Sequence, residues 1–316
     1  MPKVSVIVPN YNHGAYLQKR IDSILNQTFQ DFEVIILDDV SVDNSKDIIE
    51  QYRGNTKVQH IVYNAVNSGS TFKQWDKGVG LARGEYIWFA ESDDWCEPSL
   101  LEHLVHGIES DEDCVVSYCQ AYCVDGVNKI RFTSHHGCLS EIKAGDAFIR
   151  DFMIKTTSIF NASMAIWKKK YYDQISRRFI DFKMCGDWLF WVEMAGLGKV
   201  HISGRVLNYF RKHDADVSGA MYKTGKGTIE EIQALQIIFR KGLIDEPSYA
   251  VGLRRFIRAF YKGHKKFSPQ VRQDFESELK NALSGNFFRK KSIMLFKYKT
   301  RYRYQLKHFF KKYQPQ

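Results

Sequence analysis

The first hundred residues alternate short apolar runs with segments of helical period, and three of the runs stop in polar clusters. Val4-Ser5-Val6-Ile7-Val8 ends in Pro9-Asn10-Tyr11-Asn12. Glu33–Leu37 ends in Asp38-Asp39-Val40-Ser41, and Tyr86–Ala90 ends in Glu91-Ser92-Asp93-Asp94. Between the first two runs, Leu17, Ile21, Ile24 and Leu25 recur at helical spacing. Asp43–Tyr52, Thr71–Ala82 and the segment opened by Pro98 also read as helices, with Val58–Tyr63 as a further strand. Near-continuous apolar strands separated by helices predict an α/β fold with a mostly parallel sheet covered on both faces. Ligands of such sheets bind outside the carboxyl ends of the strands, so the three polar clusters are expected side by side along one edge.

Beyond residue 113 the pattern is mixed. Strands are expected at Val115–Val124 and Ile130–Thr133, and helices at Gly145–Phe152 and Gly186–Ala195. From about residue 226 the chain reads as helical and increasingly basic. This divides it into an α/β body, 1–218, with halves 1–101 and 102–218, and a helical C-terminal region, 219–316.

Charge locates a second feature. The net charge is +10, yet residues 286–316 alone hold ten Lys or Arg and no acid, so the remainder is formally neutral. A general nucleic-acid-binding surface on the body is therefore not expected. The tail interleaves nine aromatics with its basic residues from Phe287 to Tyr313. That composition fits an anionic membrane surface, a docked terminal helix, or nucleic acid, with the membrane surface preferred. No apolar run reaches the ~18 residues that span a bilayer. Met1-Pro2-Lys3 leads straight into the first strand without an export signal, so the expectation is a cytoplasmic protein, peripheral on the inner face of the membrane through its tail. The six cysteines include no C-x-x-C pair and read as reduced thiols.

Gly78-Val79-Gly80-Leu81-Ala82-Arg83-Gly84 is one residue too long for a dinucleotide fingerprint and precedes a strand. Glu91-Ser92-Asp93-Asp94 packs like charges at a strand end, which suits either a hard divalent cation or a loop capping the next helix. Asp38-Asp39 can accept from a ring N–H and ribose hydroxyls, or cap a helix. Asp187, in Cys185-Gly186-Asp187-Trp188, is either a first-turn acid complementing the helix dipole or a general base among apolar neighbours. His213 is either a solvated loop residue or a phosphate or metal contact.

Taken together, these clusters resemble glycosyltransferase family 2, with the GT-A-type nucleotide-diphospho-sugar transferase fold. The opening run through Asn12, Ser23–Phe29, Asp38–Ser45, and Gly84–Ile87 running into Glu91–Asp94 carry the resemblance, which is dense over residues 3–101. Scattered matches follow at Gly186-Asp187-Trp188 and Tyr209–His213.

The resemblance implies an inverting transfer from a nucleotide-sugar donor, UDP-linked in preference, to a glycan or lipid-linked acceptor in cell-surface polysaccharide synthesis. It places Pro9, Asn10, Tyr11, Asp39, Lys73 and Ser92 at the nucleotide. Glu91, Asp93 and Asp94 fall at a Mn²⁺ or Mg²⁺ ion, and Asp187 serves as the catalytic base. The alternatives are a glycan-binding protein that kept the fold without catalysis, and a nucleotidyltransferase, which the lack of a Gly-rich phosphate loop after the first strand disfavours. Three departures stand out. Val40 replaces the family's usual Gly, so that loop is not expected to reach positive φ freely. Glu91 replaces the first acid of the D-x-D element, and Lys73-Gln74-Trp75 replaces its basic segment.

Overall fold

A computed structural model describes residues 1–213, 217–284 and 287–312, with side chains from 1–213, 217–284 and 290–304. Ten strands form one mixed sheet: β1 Val4–Asn10, β2 Phe32–Asp38, β3 Val58–Tyr63, β4 Tyr86–Phe89, β5 Trp95–Cys96, β6 Cys114–Val124, β7 Ile130–Thr133, β8 Ser140–Ala144, β9 Ala165–Lys168 and β10 Lys199–Arg211. The main path is β3-β2-β1-β4-β9-β6-β10-β5, with β7 on β6 and β8 on β10. The first four strands are parallel, β9 runs antiparallel between β4 and β6, and β10 returns parallel to β6. The sheet is thus parallel where strand–helix alternation predicts it and mixed where the alternation breaks down.

Every residue of β1 and β2 is buried, as continuous apolar runs require when both faces are covered. Each fully buried Val or Ile there contributes roughly 1.5–3 kcal/mol. The pairing of β4 with β1 stops at Ile7, so Pro9 lies beyond it, where its missing N–H is tolerated. Helices α1 Gly14–Leu25, α2 Ser45–Glu50, α3 Thr71–Leu81 and α4 Leu100–Glu109 connect the first strands. Helix α4 starts two residues after Pro98, which lies in the preceding turn. The helix expected at Gly145–Phe152 is a short α5, Gly145–Phe148, running into a π-helical turn at Ile149–Ile154.

Helix α6, Gly186–Ala195, is buried nearly all round. Its aromatics join an inner stack: Trp75 lies flat on Phe89 at 4.2 Å, and Phe190 meets the two edge-on at 5.9 and 5.6 Å. A Cβ at Gly186 would stand 2.3 Å from the Phe179 carbonyl and 2.6 Å from the Phe72 ring. Glycine there lets the start of α6 press against α3.

The C-terminal region comprises α7 Val217–Thr224, α8 Lys226–Arg240, α9 Glu246–Gly263, α10 Pro269–Ala282 and α11 Phe287–Lys312. Its buried residues join one continuous core that runs from Val4 to Ile293. Helix α11 lies against α9, with Ile293, Lys297 and Thr300 buried and Lys297 paired to Glu276.

Candidate active site

The three polar clusters stand side by side, because β2, β1 and β4 are neighbours and run parallel. On β1, Asn10 donates Nδ2 to Asp38 Oδ2 at 2.8 Å and to Ser41 at 3.1 Å. Its Oδ1 is buried and unpartnered. A lone buried acceptor of this kind costs about 1–3 kcal/mol until a donor arrives. Tyr11 follows at 49% exposure. Asp39 is only 4% exposed and is turned inward. Its carboxylate accepts from Asn64 at 2.6 Å, Gln74 at 3.1 Å, and the Ser68 amide and hydroxyl at 2.9 and 2.8 Å. Asp39 therefore fixes the loop that leads into α3. Lys73 is exposed, with Nζ on the Ser68 carbonyl at 3.1 Å. Val40 sits at φ +67°, so the loop takes the left-handed conformation despite a β-branched side chain. The expectation that valine would not take it freely is met by compensation: the Ser41 amide on the Asp38 carboxylate, the Asn67 side-chain amide on the Asp39 carbonyl and the Asp39 amide on the Asn10 carbonyl hold the turn.

The fold breaks up the set Glu91, Asp93 and Asp94. Glu91 points to α3, accepting the Trp75 indole N–H at 2.9 Å, and is pushed up to about 8 by burial and by the charge of Asp93. Asp94 is 1% exposed and accepts from Asn161 at 2.9 Å, Ser163 at 2.7 Å and the Arg211 amide at 2.9 Å. Its neighbour Asp93 faces two imidazoles instead. One ligand atom from each of His13, Asp93 and His213 lies within 4.8 Å of the others. Asp93 Oδ2 meets His213 Nε2 at 3.1 Å. His13 Nδ1 meets the Ser92 hydroxyl at 2.8 Å, which leaves Nε2 for ligation. Burial lowers the pKa of His13, which favours the neutral imidazole that ligation would require. Burial alone would raise Asp93, but the His213 hydrogen bond and the nearby imidazoles outweigh it and hold the carboxylate low.

Each of these groups has a structural cause. His13 precedes α1, whose first amide, Gly14 N–H, is capped by Asp43 at 2.8 Å. Arg211, at the end of β10, donates Nε to the Asp93 carbonyl at 2.9 Å, and its guanidinium lies 4.4 Å from the Tyr16 ring centre and 4.7 Å from that of Trp95. Beneath them Arg20 is fully buried over the Trp88 ring at 4.8 Å, with no oxygen acceptor on its guanidinium among the described residues and Cys96 as its thiol neighbour. Its positive charge favours the ionised forms of Glu91 and Asp94.

Asp187 stands in the first turn of α6, with Oδ1 on the Trp188 amide at 2.7 Å. Burial pushes it up to about 7, partly offset by that amide and by the Lys212 charge. Lys212 adjoins His213, and Gly186 touches Phe72, three residues before Trp75. The start of α6 thus reaches the edge that carries Glu91, Asp93 and His213. His13 and Arg20 have no role in the reading of motifs, and Arg211 enters it only as part of Tyr209–His213. Arg20 had a signal, since it occupies an apolar position in the stripe Leu17, Ile21, Ile24.

A mixed α/β sheet whose parallel half carries a carboxylate–imidazole cluster at its carboxyl edge is the architecture of a nucleotide-sugar-transferase type of fold. Residues 5–176 match the family described as Glycosyl transferase family 2. The chain belongs to glycosyltransferase family 2. It is 29% identical over 187 residues to glycosyltransferase GlyG of Streptococcus pneumoniae, covering 56% of this chain and 62% of that protein. It is 36% identical over 131 residues to poly(ribitol-phosphate) beta-N-acetylglucosaminyltransferase TarP of Staphylococcus aureus, covering 40% and 38%. The alignments therefore span less than two thirds of these relatives. The structure of S. aureus TarS 1-349 in complex with UDP-GlcNAc superposes with a TM-score of 0.73 at 19% identity, over 96% of this chain and 89% of that one, which shows the shared fold. Among the described residues no helix is long and apolar enough to cross a membrane.

Proposed function

We propose that this protein transfers a sugar from a nucleotide-diphosphate sugar, a UDP-sugar by preference, to a hydroxyl of a glycan or lipid-linked acceptor in cell-surface polysaccharide synthesis, with inversion at the anomeric carbon. The observation that carries the reading is the His13–Asp93–His213 cluster at the carboxyl edge of the sheet. Similarity to TarP and to the UDP-GlcNAc complex of TarS supports the donor class. Asn10 Oδ1 accepts a ring N–H of the base, Tyr11 offers a face for stacking, and the Asp39 loop shapes the ribose side.

His13, Asp93 and His213 would hold a divalent cation, and two imidazoles beside one carboxylate would favour Mn²⁺ over Mg²⁺. When bound, the cation neutralises charge on the departing nucleoside diphosphate. Asp187 takes the proton from the acceptor hydroxyl; a carboxyl raised to about 7 is well matched to that task near neutral pH. Helix α11 supports residence on an anionic membrane surface. Its outer side exposes Leu295, Tyr298 and Tyr302 beside Lys291, Lys299, Arg301 and Arg303.

Calorimetry of UDP with and without Mn²⁺ tests the reading. Wild-type protein binds UDP more tightly with Mn²⁺, and Asp93→Ala and His213→Ala lose that dependence while keeping the fold. Metal-independent UDP binding in the wild type refutes the cation assignment, and no UDP binding at all refutes the donor class.

A further inference from the structure

A cavity of about 380 Å³ opens between the middle of β6, the segment after β7 and the π-helical turn. Its walls are unlike the nucleotide edge. Tyr118, Phe152 and Phe160 supply aromatic surface, and Phe152 is backed by Phe148 stacked at 5.6 Å. Gln120, 3% exposed, spends Nε2 on the Ser203 carbonyl at 3.0 Å and leaves Oε1 without a partner among the described residues. Thr156 and Ser158 add hydroxyls, and Asp151 adds a carboxylate. His135 and His136 also line it, the latter paired with Glu141 at 2.8 Å, and among the described residues no lysine or arginine does.

Aromatic faces ringed by hydroxyls, an amide, two imidazoles and one carboxylate suit the apolar face and equatorial hydroxyls of a pyranose ring. The lining offers a phosphodiester no Lys or Arg among the described residues, and the nearby Lys155 and Arg150 are held on the Asp151 carboxylate at 2.7 and 3.2 Å. The volume lies at the low end of the ~300–1,000 Å³ usual for small-molecule sites, enough for a mono- or disaccharide.

Both walls are tied to the reaction centre. Phe160 precedes Asn161, which donates to Asp94 at 2.9 Å. Trp188, next to Asp187, donates its indole N–H to the Met153 carbonyl at 3.1 Å, within the π-helical turn that carries Phe152. Arg255 of α9 reaches the Met153, Ile154 and Thr156 carbonyls and the Thr157 hydroxyl. Four such bonds preset this wall, so little ordering entropy is left to lose when a ligand enters.

We infer that this cavity is an acceptor subsite for a neutral glycosyl unit, set one or more residues along the acceptor from the hydroxyl attacked. The inference rests on the glycosyltransferase reading above and adds the chemistry of its acceptor.

The test uses full-length protein with UDP and Mn²⁺, and ligand-observed NMR with a panel of methyl glycosides and disaccharides of glucose, galactose and N-acetylglucosamine. A glycerol-phosphate oligomer is the anionic probe. Neutral glycosides give saturation transfer with the wild type. Thr156→Trp, which fills the mouth, weakens them at least tenfold, and Asp151→Ala weakens them severalfold with recovery in Asp151→Asn. Metal-dependent UDP binding, measured on the same samples, reports separately on the fold and on the glycosyltransferase reading. The inference is overturned if no neutral glycoside binds protein that binds UDP, if only the phosphate oligomer binds, or if Thr156→Trp binds glycosides like the wild type.

Discussion

Replacing Asp187 with Asn keeps its shape and removes its proton chemistry, and the two effects can be measured apart. Burial lifts the carboxyl from the usual 3.8 to about 7. Between those values the folded protein binds a proton that the unfolded chain has released, so stability falls as pH rises from about 4 to about 7. Below that window the acid costs the fold nothing; above it the full cost of a buried charge is present. A shift of about three units at ~1.36 kcal/mol each sets a ceiling of about 4 kcal/mol. Partial exposure of the side chain and loss of a favourable helix-dipole contact reduce the expected gain for Asn to roughly 1–3 kcal/mol at pH 8.

Urea unfolding should therefore show the Asn variant more stable at pH 8 and equal to wild type near pH 4. Turnover should move the other way. Loss of a general base costs about 10²–10⁴ in kcat, with UDP affinity unchanged. Wild-type kcat should also rise with pH through about 7, and the variant's residual rate should lack that limb. Near-wild-type turnover would return Asp187 to a helix-capping role. An equal stability difference at both pH values would refute the assigned ionisation.

Three further outcomes are expected. Asp94→Ala strands the Asn161, Ser163 and Arg211 donors and should cost about 3 kcal/mol in urea unfolding, with Asp94→Asn recovering part; a loss below about 0.5 kcal/mol would show those bonds to be dispensable. Val40→Gly relieves a left-handed valine worth roughly 1–3 kcal/mol against about 1 kcal/mol of added chain entropy; a net gain near 1 kcal/mol is expected in the urea midpoint, and a net loss would contradict the strain. Reversing Lys291, Lys299, Arg301 and Arg303 to Glu should release the protein from anionic vesicles in a sedimentation assay while leaving its unfolding midpoint within about 0.5 kcal/mol, because these side chains face outward; unchanged binding would remove the membrane reading.

The sequence was most legible where local pattern and fold coincide. Continuous apolar strands and helical stripes made β1 to β4 and α1 to α4 readable, and parallel topology then placed Asn10, Asp39 and the Glu91–Asp94 loop on one edge. Pattern gave less beyond that. Strand β9 is four residues beside a short 3₁₀ turn, and β10 changes register repeatedly while serving β6, β8 and β5, so neither shows a clean period. At the site, residue types narrowed the choice of acids but could not orient them. Whether Glu91, Asp93 or Asp94 faces outward depends on Trp75, Ser163 and Arg211, which arrive from distant segments. His13 stands in a polar loop and its partner His213 lies two hundred positions later, so nothing local marks the pair.

That separation also bears on how the enzyme comes into being. His13 leads the first helix, Asp93 follows the fourth strand, and His213 follows the last strand of the sheet, so the cluster cannot exist until β10 has docked between β6 and β5. On the proposed reading, a growing chain with only its first four strands folded would carry the Asn10 and Asp39 loops without the cation cluster, and so could not yet carry out cation-assisted transfer. Once complete, the same cluster ties early and late segments together. A cation at a hundred times its dissociation constant would add about 2.7 kcal/mol to the stability of the assembled sheet. Competence for catalysis and resistance to unfolding would then arrive together, at a single late step of folding.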